Sequence, residues 1–463
     1  MKNLALKLCS LFFLSLWLGF YANSSGMSAH QALSISIFSA SILGTLFFWD
    51  FRLSFAFIGT SILLMTKTID LEHVIEFSSL EVILFLVGMM VVIGLLKDSG
   101  VFAWIVSIIL RIPGLTGRKF VLIIGIVSAL LACAIDEVTS IIFMVVAVLE
   151  ICDYFEVNPV PFILVSVLST NIGSSATVLG NPIGILIASK SGLSFEDFIV
   201  KAFPLAAICL LVTLFILLSW YRKPIKLLDE QMKKLGANDI LIRLISVPPD
   251  KNLKVNLTIF ASMLFFISLH RRMEMLWSLP ANTVLLVVPL VASGLVMIWR
   301  HNKARKYIEK DVEWWTLLFF LLLFVQAGTL KYTGATVFIA KRLLFACGNS
   351  LDLLISAILW ISAIGSSILD NVVLVAAFIP VVQGFQSLSI NIQPLWWALL
   401  FGGCLGGNIT LIGSTANIVA IGMLEKEKRI KINFLTWFWV GLSVGSVTTV
   451  IVMAALVFIP FYR

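Results

Sequence analysis

Apolar runs long enough to cross a membrane dominate the chain, and polar residues interrupt them at a few places. The main runs lie at 31–49, 51–69, 80–97, 120–152, 198–220, 255–269, 277–299, 314–331, 350–387 and 434–460, with amphipathic pieces at 100–112 and 334–347. A spanning helix needs about 20 residues, so the chain has room for roughly ten to twelve spans plus shorter re-entrant pieces. The pattern predicts an all-α polytopic membrane protein.

The composition supports this prediction and excludes other classes. Hydrophobic residues make up 60% of the chain and charged residues 13%, with a mean hydropathy of +1.05, whereas soluble proteins have about 45–50% apolar and about 25% charged residues. The net charge of +8 reflects basic loops, which mark the cytoplasmic side of a membrane protein, so nucleic acid is not an expected partner. Six cysteines without a C-x-x-C pair and four scattered histidines predict no disulfide frame, zinc site or other cofactor.

The first 26 residues are expected to form an N-terminal helix. Lys2 and Lys7 precede the apolar run Leu8–Phe20, as in a signal peptide. The sequence Ala22-Asn23-Ser24 is a poor cleavage site, however, so we expect an uncleaved helix with its N-terminus in the cytoplasm.

A long hydrophilic segment divides the rest of the chain. Residues 221–254 are rich in lysine and arginine, which predicts a solvated cytoplasmic linker. It separates a first repeat at 27–220 from a second repeat at 255–463.

The two halves resemble each other in sequence. LFLVGMMVVIGLLKDSG at 84–100 aligns with LFFLLLFVQAGTLKYTG at 318–334, an offset of 234 residues (318 − 84). The same offset pairs Lys97 with Lys331 and Asp136 with Asp370. A slip of one residue then pairs Thr177 with Thr410 and Gly180 with Gly413. An internal repeat of this kind determines the fold and must be recognised first.

Charge predicts how the two repeats are oriented. The acidic segment 66–81 carries Asp70, Glu72, Glu76 and Glu81, whereas the equivalent basic segment 300–313 carries Arg300, Lys303, Arg305, Lys306 and Lys310. Segments of opposite charge bias are expected on opposite sides of the membrane, so the repeat has inverted topology. The basic cluster at 426–431 is then also cytoplasmic, and the C-terminus lies outside.

Carboxylates interrupt two of the apolar runs at equivalent places. Asp136 and Glu137 stand in the run 120–152, and Asp370 with Asn371 stands in 350–387. An ionised carboxylate at the bilayer centre costs about 2.5–3.5 kcal/mol, so each needs a cation, a proton or hydrogen-bond donors, or must face water. We expect broken helices here, whose free ends bind ions, and we expect both aspartates to face wet clefts.

Two polar stretches in corresponding positions point to a binding site. NIGSSATVLGNPIG at 171–184 and GGCLGGNITLIGSTAN at 402–417 cannot continue a helix, and such backbone is tolerated in a membrane only inside protein or along a wet cavity. We therefore predict two re-entrant hairpins whose tips bind the transported ion. The candidate ligands, besides the acids and Asn371, are Asn171, Ser174, Ser175, Thr177, Gly180, Asn181, Asn408, Thr410, Gly413, Ser414, Thr415 and Asn417. Na⁺ is expected at Asn171, Thr177, Asn408 and Thr410.

Other repeated or clustered residues receive structural interpretations. Lys97 and Lys331 are expected at the ends of spans, where their ammonium groups can reach the interface. Six tryptophans near the starts of predicted spans are typical of an interfacial belt; they are Trp314, Trp315, Trp396, Trp397, Trp437 and Trp439.

The segments that contain these polar residues resemble a known family. AIDEVTSIIFMVVAVLEI with STNIGSSATVLGNPIG, and SSILDNVVLVAAFIPVV with FGGCLGGNITLIGSTANIVA, are similar to the ion-transporter superfamily. Its members include arsenite permeases, citrate carriers, D-type sodium–proton antiporters and the pink-eyed-dilution P protein, whose branch is closest in pattern. The similarity extends from about residue 31 to the end.

The resemblance implies an inverted-repeat, elevator-type carrier, often dimeric, with substrate and coupling ions between the hairpin tips. We therefore expect a homodimer in a plasma or inner membrane. The first motif reads Gly180-Asn181-Pro182-Ile183-Gly184 where the family has G-D-P-P-N, and Glu137 stands where the family often has asparagine. The acidic group has moved along the chain, which leaves the coupling ion open.

We interpret the chain as a secondary-active transporter, coupled to Na⁺ or H⁺, that moves a small inorganic ion or oxyanion by alternating access. A Na⁺/H⁺ antiporter is the alternative. No lysine or arginine stands near either tip in the sequence, which weakens a di- or tricarboxylate as substrate.

Two other classes are less well supported. Paired intramembrane aspartates suit an aspartic protease, but the Gly-x-Gly-Asp signature is missing before Asp370. A gated channel would show transport rates near diffusion. No phosphate-binding P-loop motif occurs, so we expect a carrier and not an enzyme.

Overall fold

The computed structural model describes residues 2–48, 51–101, 104, 108, 114–235 and 251–462, and every element among them is helical. Most of the predicted amphipathic piece at 100–112 and residues 236–250 of the predicted linker lie outside these ranges. Eight described helices are long and apolar enough to cross a membrane, or up to ten if each sharply bent pair forms one span. Ten is the lower limit of the number expected from the sequence.

From Arg52–Met65 in the first half and Thr283–Trp299 in the second, the described helices follow the same order, except that most of the counterpart of Ala335–Ala346 lies outside the described residues. The first half contains Lys2–Ser24, Ala29–Phe47, Arg52–Met65, Leu71–Phe77, Leu80–Asp98, Gly117–Ala134, Glu137–Tyr154, Val160–Gly173, Pro182–Ser191 and Phe195–Trp220. Arg222–Leu235 follows. The second half contains Lys251–Ser268, His270–Trp277, Thr283–Trp299, His301–Asp311, Trp314–Tyr332, Ala335–Ala346, Leu351–Ile368, Asn371–Gln386, Gln393–Gly406, Thr415–Lys428 and Phe434–Phe458.

Both predicted helix breaks are present. The first broken helix stops at Ala134 and restarts at Glu137, and the second stops at Ile368 and restarts at Asn371. In each case the aspartate between the two parts caps the second part, because its side chain accepts a hydrogen bond from a backbone N–H of the first turn. The carboxylates therefore end up at helix N-termini, where the helix dipole favours negative charge.

Both polar stretches form the turns of re-entrant hairpins. The first hairpin consists of Val160–Gly173 and Pro182–Ser191, and the second of Gln393–Gly406 and Thr415–Lys428. The broken helices, the hairpins and the long helices Phe195–Trp220 and Phe434–Phe458 pack together into a central bundle. Leu80–Asp98, Thr283–Trp299 and Trp314–Tyr332 lie beside it as flanking helices.

The inverted orientation of the halves is visible along one flanking helix. Leu80–Asp98 begins directly after the acidic segment. At its other end, the Asp98 carboxylate accepts hydrogen bonds from Lys303 at 2.9 Å and Lys306 at 2.7 Å. The acidic and basic segments therefore lie at opposite ends of the same helix, as the charge pattern predicts.

One glycine in each hairpin allows that hairpin to approach its broken helix closely. A Cβ atom on Gly173 would lie 2.2 Å from the Ala129 carbonyl oxygen, and one on Gly406 would lie 2.2 Å from the Ala363 carbonyl oxygen. Only glycine fits at such a backbone contact. The two contacts are equivalent in the repeat.

Part of the hydrophilic linker is packed and not fully solvated as expected. Arg222–Leu235 is a helix whose Ile225 and Leu228 are buried. Its Asp229 Oδ1 accepts a hydrogen bond of 2.5 Å from the backbone N–H of Gly117. Apolar residues three positions apart lie on one face of a helix, and this face covers the start of the first broken helix.

The predicted tryptophan belt is only partly correct. Trp314, Trp315 and Trp439 are exposed on the protein surface, whereas Trp396, Trp397 and Trp437 are buried. The apolar run that contains Trp396 and Trp397 forms an arm of the second hairpin and is enclosed by protein. Burial of these side chains therefore reflects packing and not an interfacial position.

Candidate functional site

The tips of the two hairpins are joined by asparagine side chains. Asn171, at the end of the first arm, is completely buried. Its Nδ2 donates hydrogen bonds of 2.9 Å to Asn408 Oδ1 and to Asn417 Oδ1, both in the second hairpin. Its Oδ1 accepts one from Ser414 Oγ at 3.1 Å. These residues, more than 230 positions apart, form one buried polar cluster.

Two side-chain amides fix the backbone at the tip of the second hairpin. Asn417 Nδ2 donates to the carbonyl oxygens of Gly407 at 2.8 Å and Thr410 at 2.9 Å. Asn408 Nδ2 donates to the Leu168 carbonyl oxygen at 3.3 Å, and the Asn408 carbonyl oxygen accepts from Trp437 Nε1 at 3.1 Å. The buried Trp437 thus supports the tip, a role that the sequence analysis missed.

Equivalent threonines attach each tip to its own broken helix. Thr177 Oγ1 donates to the Cys133 carbonyl oxygen at 2.5 Å, and Thr410 Oγ1 donates to the Ser367 carbonyl oxygen. These carbonyls belong to the last turns before the helix breaks. The predicted Na⁺ ligands are therefore divided: Asn171 and Asn408 share one cluster, whereas the two threonine hydroxyls serve separate contacts.

Glu137 lies where the two halves meet. Its side chain is 2% exposed. Ser174 Oγ donates to Oε2 at 3.1 Å, Asn371 Nδ2 donates to Oε1 at 3.2 Å, and Ser414 Oγ donates to Oε1 at 3.5 Å. Each of these hydrogen-bond partners, one from the first hairpin and two from the second half, is uncharged.

The two equivalent aspartates differ in their surroundings. Asp136 is half-buried and lines a cavity. Asp370 is 5% exposed; its Oδ2 accepts from Thr415 Oγ1 at 2.6 Å and its Oδ1 from the Val372 N–H at 3.1 Å. Asp136 lines a cavity as expected, whereas Asp370 lines neither of the two cavities described below; Thr415, whose hydroxyl donates to Asp370, lines the first.

Asn181 connects the altered motif to the glutamate. Its Nδ2 donates to Ser174 Oγ at 2.9 Å and to Cys404 Sγ at 3.1 Å, and its Oδ1 caps the following helix at Gly184 N. Ser174 in turn donates to Glu137. A single hydroxyl therefore separates the amide at position 181 from the carboxylate at position 137.

The remaining candidates have local roles. Ser175 Oγ donates to the Ile172 carbonyl oxygen at 2.7 Å, within its own helix turn. A Cβ on Gly180 would lie 2.3 Å from the Ser174 carbonyl oxygen, and one on Gly413 would lie 2.8 Å from that of Gly407. Both glycines are needed for the tight backbone of the tips. Whether any of these residues binds an ion stays a prediction.

A cavity of about 850 Å³, including its solvent-open part, leads to Asp136 and Glu137. We call it the Lys97 cavity. Its charged wall residues beyond the two acids are Lys97 of a flanking helix, Asp311 and Glu313. Asn181 and Thr415, from the two hairpins, line it as well. Desolvation at the wall raises the pKa of Glu313, as does the nearby charge of Asp136, whereas Lys97 lowers it.

A second cavity of about 670 Å³ has a flanking wall equivalent to that of the first. We call it the Lys331 cavity. Its residues from the flanking elements include Glu76, Phe77, Ser79 and Lys331. On the central bundle it is lined by Leu186 and Lys190 of the first hairpin and by Ala376, Ile379, Pro380 and Gln383. It does not include Asp370.

Cations lie closer to the site than the sequence indicated. Lys97 lines the cavity, although its position at the end of a span favoured a purely interfacial role. Arg52 is buried with its guanidinium 5.4 Å from the Phe319 ring centroid, close enough to attract the carboxylates of Asp370 and Glu313. The repetition of the lysine at 331 was a usable signal; nothing in the sequence marked Arg52.

Comparison with known proteins relates the chain to a family of membrane transporters. Residues 45–402 match the family described as Citrate transporter. A 46 kDa membrane protein of Mycobacterium leprae is 28% identical over 377 residues, which cover 81% of this chain and 84% of that protein. The P protein of Homo sapiens is 25% identical over 467 residues, which cover 84% of this chain but only 54% of that protein. An uncharacterized transporter of Mycobacterium tuberculosis (strain ATCC 25618 / H37Rv) is 29% identical over 385 residues, 81% of this chain and 84% of the relative.

The fold is also found in a solved structure. The YdaH transporter of Alcanivorax borkumensis superimposes with a TM-score of 0.56 over 85% of this chain and 87% of that chain, at 12% sequence identity. The similarity at this identity concerns the architecture. It supports the all-helical transporter fold that the sequence pattern predicts.

Proposed function

The chain belongs to the citrate transporter family, and from this premise we propose that it is a secondary-active ion transporter coupled to H⁺ or Na⁺. Its relatives are named as transporters, and its helices are those of a multi-pass membrane protein. The transported solute is a small inorganic ion or oxyanion. Na⁺/H⁺ exchange is the simplest form of this activity and the one we test first.

The burial of Glu137 among uncharged partners is the observation that supports the proposal most strongly. A buried carboxylate is costly unless it is protonated or paired with a cation. The described hydrogen-bond partners of Glu137 are two serines and an asparagine, none of which supplies a positive charge. A proton or a metal cation must therefore accompany this carboxylate. Exchange of that proton or cation is the elementary step of coupling.

The Lys97 cavity provides the route to this carboxylate. Asp136, Asp311 and Glu313 line it together with Glu137, against the single ammonium of Lys97. A cleft with an excess of one charge raises the local concentration of the opposite ion. The excess of carboxylates favours a cation or proton as the ion that enters from this side.

The two cavities support an elevator-type movement of the central bundle. The Lys97 cavity meets residues 136–139, whose equivalents are 370–373, but the Lys331 cavity meets residues between 376 and 383. The second position is about eight residues further along its helix, or about 12 Å at a rise of 1.5 Å per residue. Sliding the bundle by about this distance would exchange the environments of the two halves.

A carboxylate anion is the second candidate for the solute. Lys97 lines the cavity and Arg52 lies buried nearby. The family that the chain matches is described as Citrate transporter. These two cations are fewer than the carboxylates around the site, so such an anion would enter together with protons or Na⁺.

Flux measurements on the full-length protein in liposomes test the proposal. With a pH-sensitive dye inside, an inward Na⁺ gradient is expected to drive protons out in the wild type and in Glu150→Gln, an exposed acid on the same helix as Glu137. Glu137→Gln is expected to show only the leak of protein-free vesicles. Labelled citrate taken up under either gradient would favour the second candidate. The absence of any Na⁺- or pH-driven flux would overturn the proposal.

A further inference from the structure

Lys97 and Lys331 are equivalent in the repeat, and each lines a cavity. Each stands in the last turn of a flanking helix, and each is exposed. Lys190, which also lines the Lys331 cavity, is instead paired with Glu81 at 3.3 Å. Neither Lys97 nor Lys331 forms a hydrogen bond or ion pair with any described residue, so both ammonium groups are available within their cavities.

The two lysines line cavities whose flanking walls are equivalent in the repeat. Met90, Ile93 and Lys97 of the first correspond to Phe324, Ala327 and Lys331 of the second. The opposing walls correspond as well, since a Cβ on Gly94 would meet Asp311 and one on the equivalent Gly328 would meet Phe77. The first cavity opens at the end of its helix near the basic segment, whereas the second lies beside the acidic segment.

The cavities differ in what they reach. The Lys97 cavity includes the helix-start aspartate of its own half, Asp136, whereas the Lys331 cavity does not include Asp370. Lys97 is close enough to Glu313 to attract its carboxylate. The Lys97 cavity therefore brings an exposed ammonium and the acids of the site together.

We propose that Lys97 and Lys331 are paired access residues, each of which competes with the incoming cation for the acids of its own half and so controls binding from one side of the membrane. The inference rests on the proposed function. In the described conformation the Lys97 ammonium balances the acids of the open cavity until a cation replaces it. Lys331 plays the same part for Asp370 once its cavity reaches that residue.

The two sides are not equally acidic. Asp311 and Glu313 of the Lys97 cavity correspond to Phe77 and Ser79 of the Lys331 cavity. Of the described residues that line the Lys331 cavity, Glu76 is the only acid and Lys190 is a second cation, so less negative charge attracts the cation on that side. The effect of removing the lysine is therefore larger on the Lys97 side, where more negative charge is left uncompensated.

Side-specific kinetics test this role. Right-side-out and everted membrane vesicles from one expression host present opposite faces, and Na⁺ is added as the probe. Lys97→Gln is expected to lower the KM for Na⁺ about three- to tenfold on one face only, the size of removing one nearby charge. Lys331→Gln should lower the KM on the other face only and by a smaller factor. Lys97→Arg and Lys341→Gln, an exposed lysine outside both cavities, should leave both KM values unchanged. Equal effects on both faces, or none, would overturn the proposal.

Labelling separates this inference from the proposed function. In a variant without the six native cysteines, Lys97→Cys and Lys331→Cys are expected to react with a membrane-impermeant maleimide from opposite faces. Labelling from the same face would overturn the access role even if flux is intact. Opposite labelling without any cation-driven flux would instead overturn the proposed function, and the access role with it.

Discussion

Asn371 Nδ2 donates a hydrogen bond of 3.2 Å to Glu137 Oε1, and these two residues occupy equivalent positions of the inverted repeat. The axis that relates the halves therefore passes between a carboxylate and an amide. One half supplies the charge and the other supplies a donor to it. The symmetry of the scaffold is kept, while the chemistry at its centre is made unequal.

The contacts between the hairpin tips are also paired by the repeat but differ in chemistry. Asn171 accepts from Ser414, and the equivalent pair in the other direction is Cys404 with Asn181. The first contact joins two strong hydrogen-bonding groups, whereas a thiol takes part in the second. The repeat therefore produces this contact twice, but the hydrogen bond to the thiol is the weaker of the two. The two tips are not interchangeable.

The carboxylate at the axis is expected to be transferable between the halves. Glu137→Asn should reduce cation-coupled flux to the leak rate, because no acid remains on the axis. Adding Asn371→Glu places an acid at the equivalent position and is expected to restore at least about a tenth of the wild-type rate, a remaining loss of about 1.4 kcal/mol in the barrier. The measurement is the initial rate of dye-reported proton flux in liposomes. A double variant no more active than the single one would show that the halves cannot exchange this role.

Asp370 is expected to be required for coupling and not for folding. Asp370→Asn keeps a carbonyl oxygen that can accept from Thr415 or Val372 but removes the charge. Coupled flux should fall at least about tenfold, with the elution volume in gel filtration unchanged. The exposed Glu150→Gln variant serves as the control for loss of a negative charge. Wild-type transport by Asp370→Asn would remove this residue from the site.

Asn171 is expected to hold the two hairpins together. Asn171→Ala leaves the buried acceptors of Asn408 and Asn417 and the hydroxyl of Ser414 without this partner. Since an unsatisfied buried group costs about 1–3 kcal/mol, we expect a total loss of about 2–5 kcal/mol. Thermal unfolding in detergent measures it, with the exposed Asn302→Ala as control. An unchanged melting temperature would mean that the tips are held by other contacts.

The two close hairpin contacts are expected to be equally sensitive. A methyl group on Gly173 or Gly406 collides with a backbone oxygen at 2.2 Å, so each alanine variant should lose about 1–3 kcal/mol or more. Gly294→Ala provides the matched control, since nothing lies within 4 Å of its Cβ position. In a helix interior that change is expected to stabilise by up to about 1 kcal/mol. Melting temperatures of the three variants compare these effects, and a tolerated Gly173→Ala with an unstable Gly406→Ala would show that the halves are packed differently.

The sequence by itself determined the features that depend on neighbouring residues. Apolar runs predict helices because lipid excludes unpaired backbone groups, and the breaks at Asp136 and Asp370 follow from charge and capping chemistry within a few positions. The repeat and its inversion were also readable, since an offset of 234 residues and the charge of two equivalent segments require no coordinates.

Only the tertiary structure decided which polar residues face one another. The contacts of Asn171 with Asn408 and of Glu137 with Asn371 join residues more than 230 positions apart. The periodic pattern of apolar and polar residues along a helix carries no information about such contacts. The same holds for Lys97 in the cavity wall, for buried Arg52 and for Trp437 beneath the second tip. A local pattern shows that a side chain must be solvated or buried; the packing of distant helices determines what it then contacts.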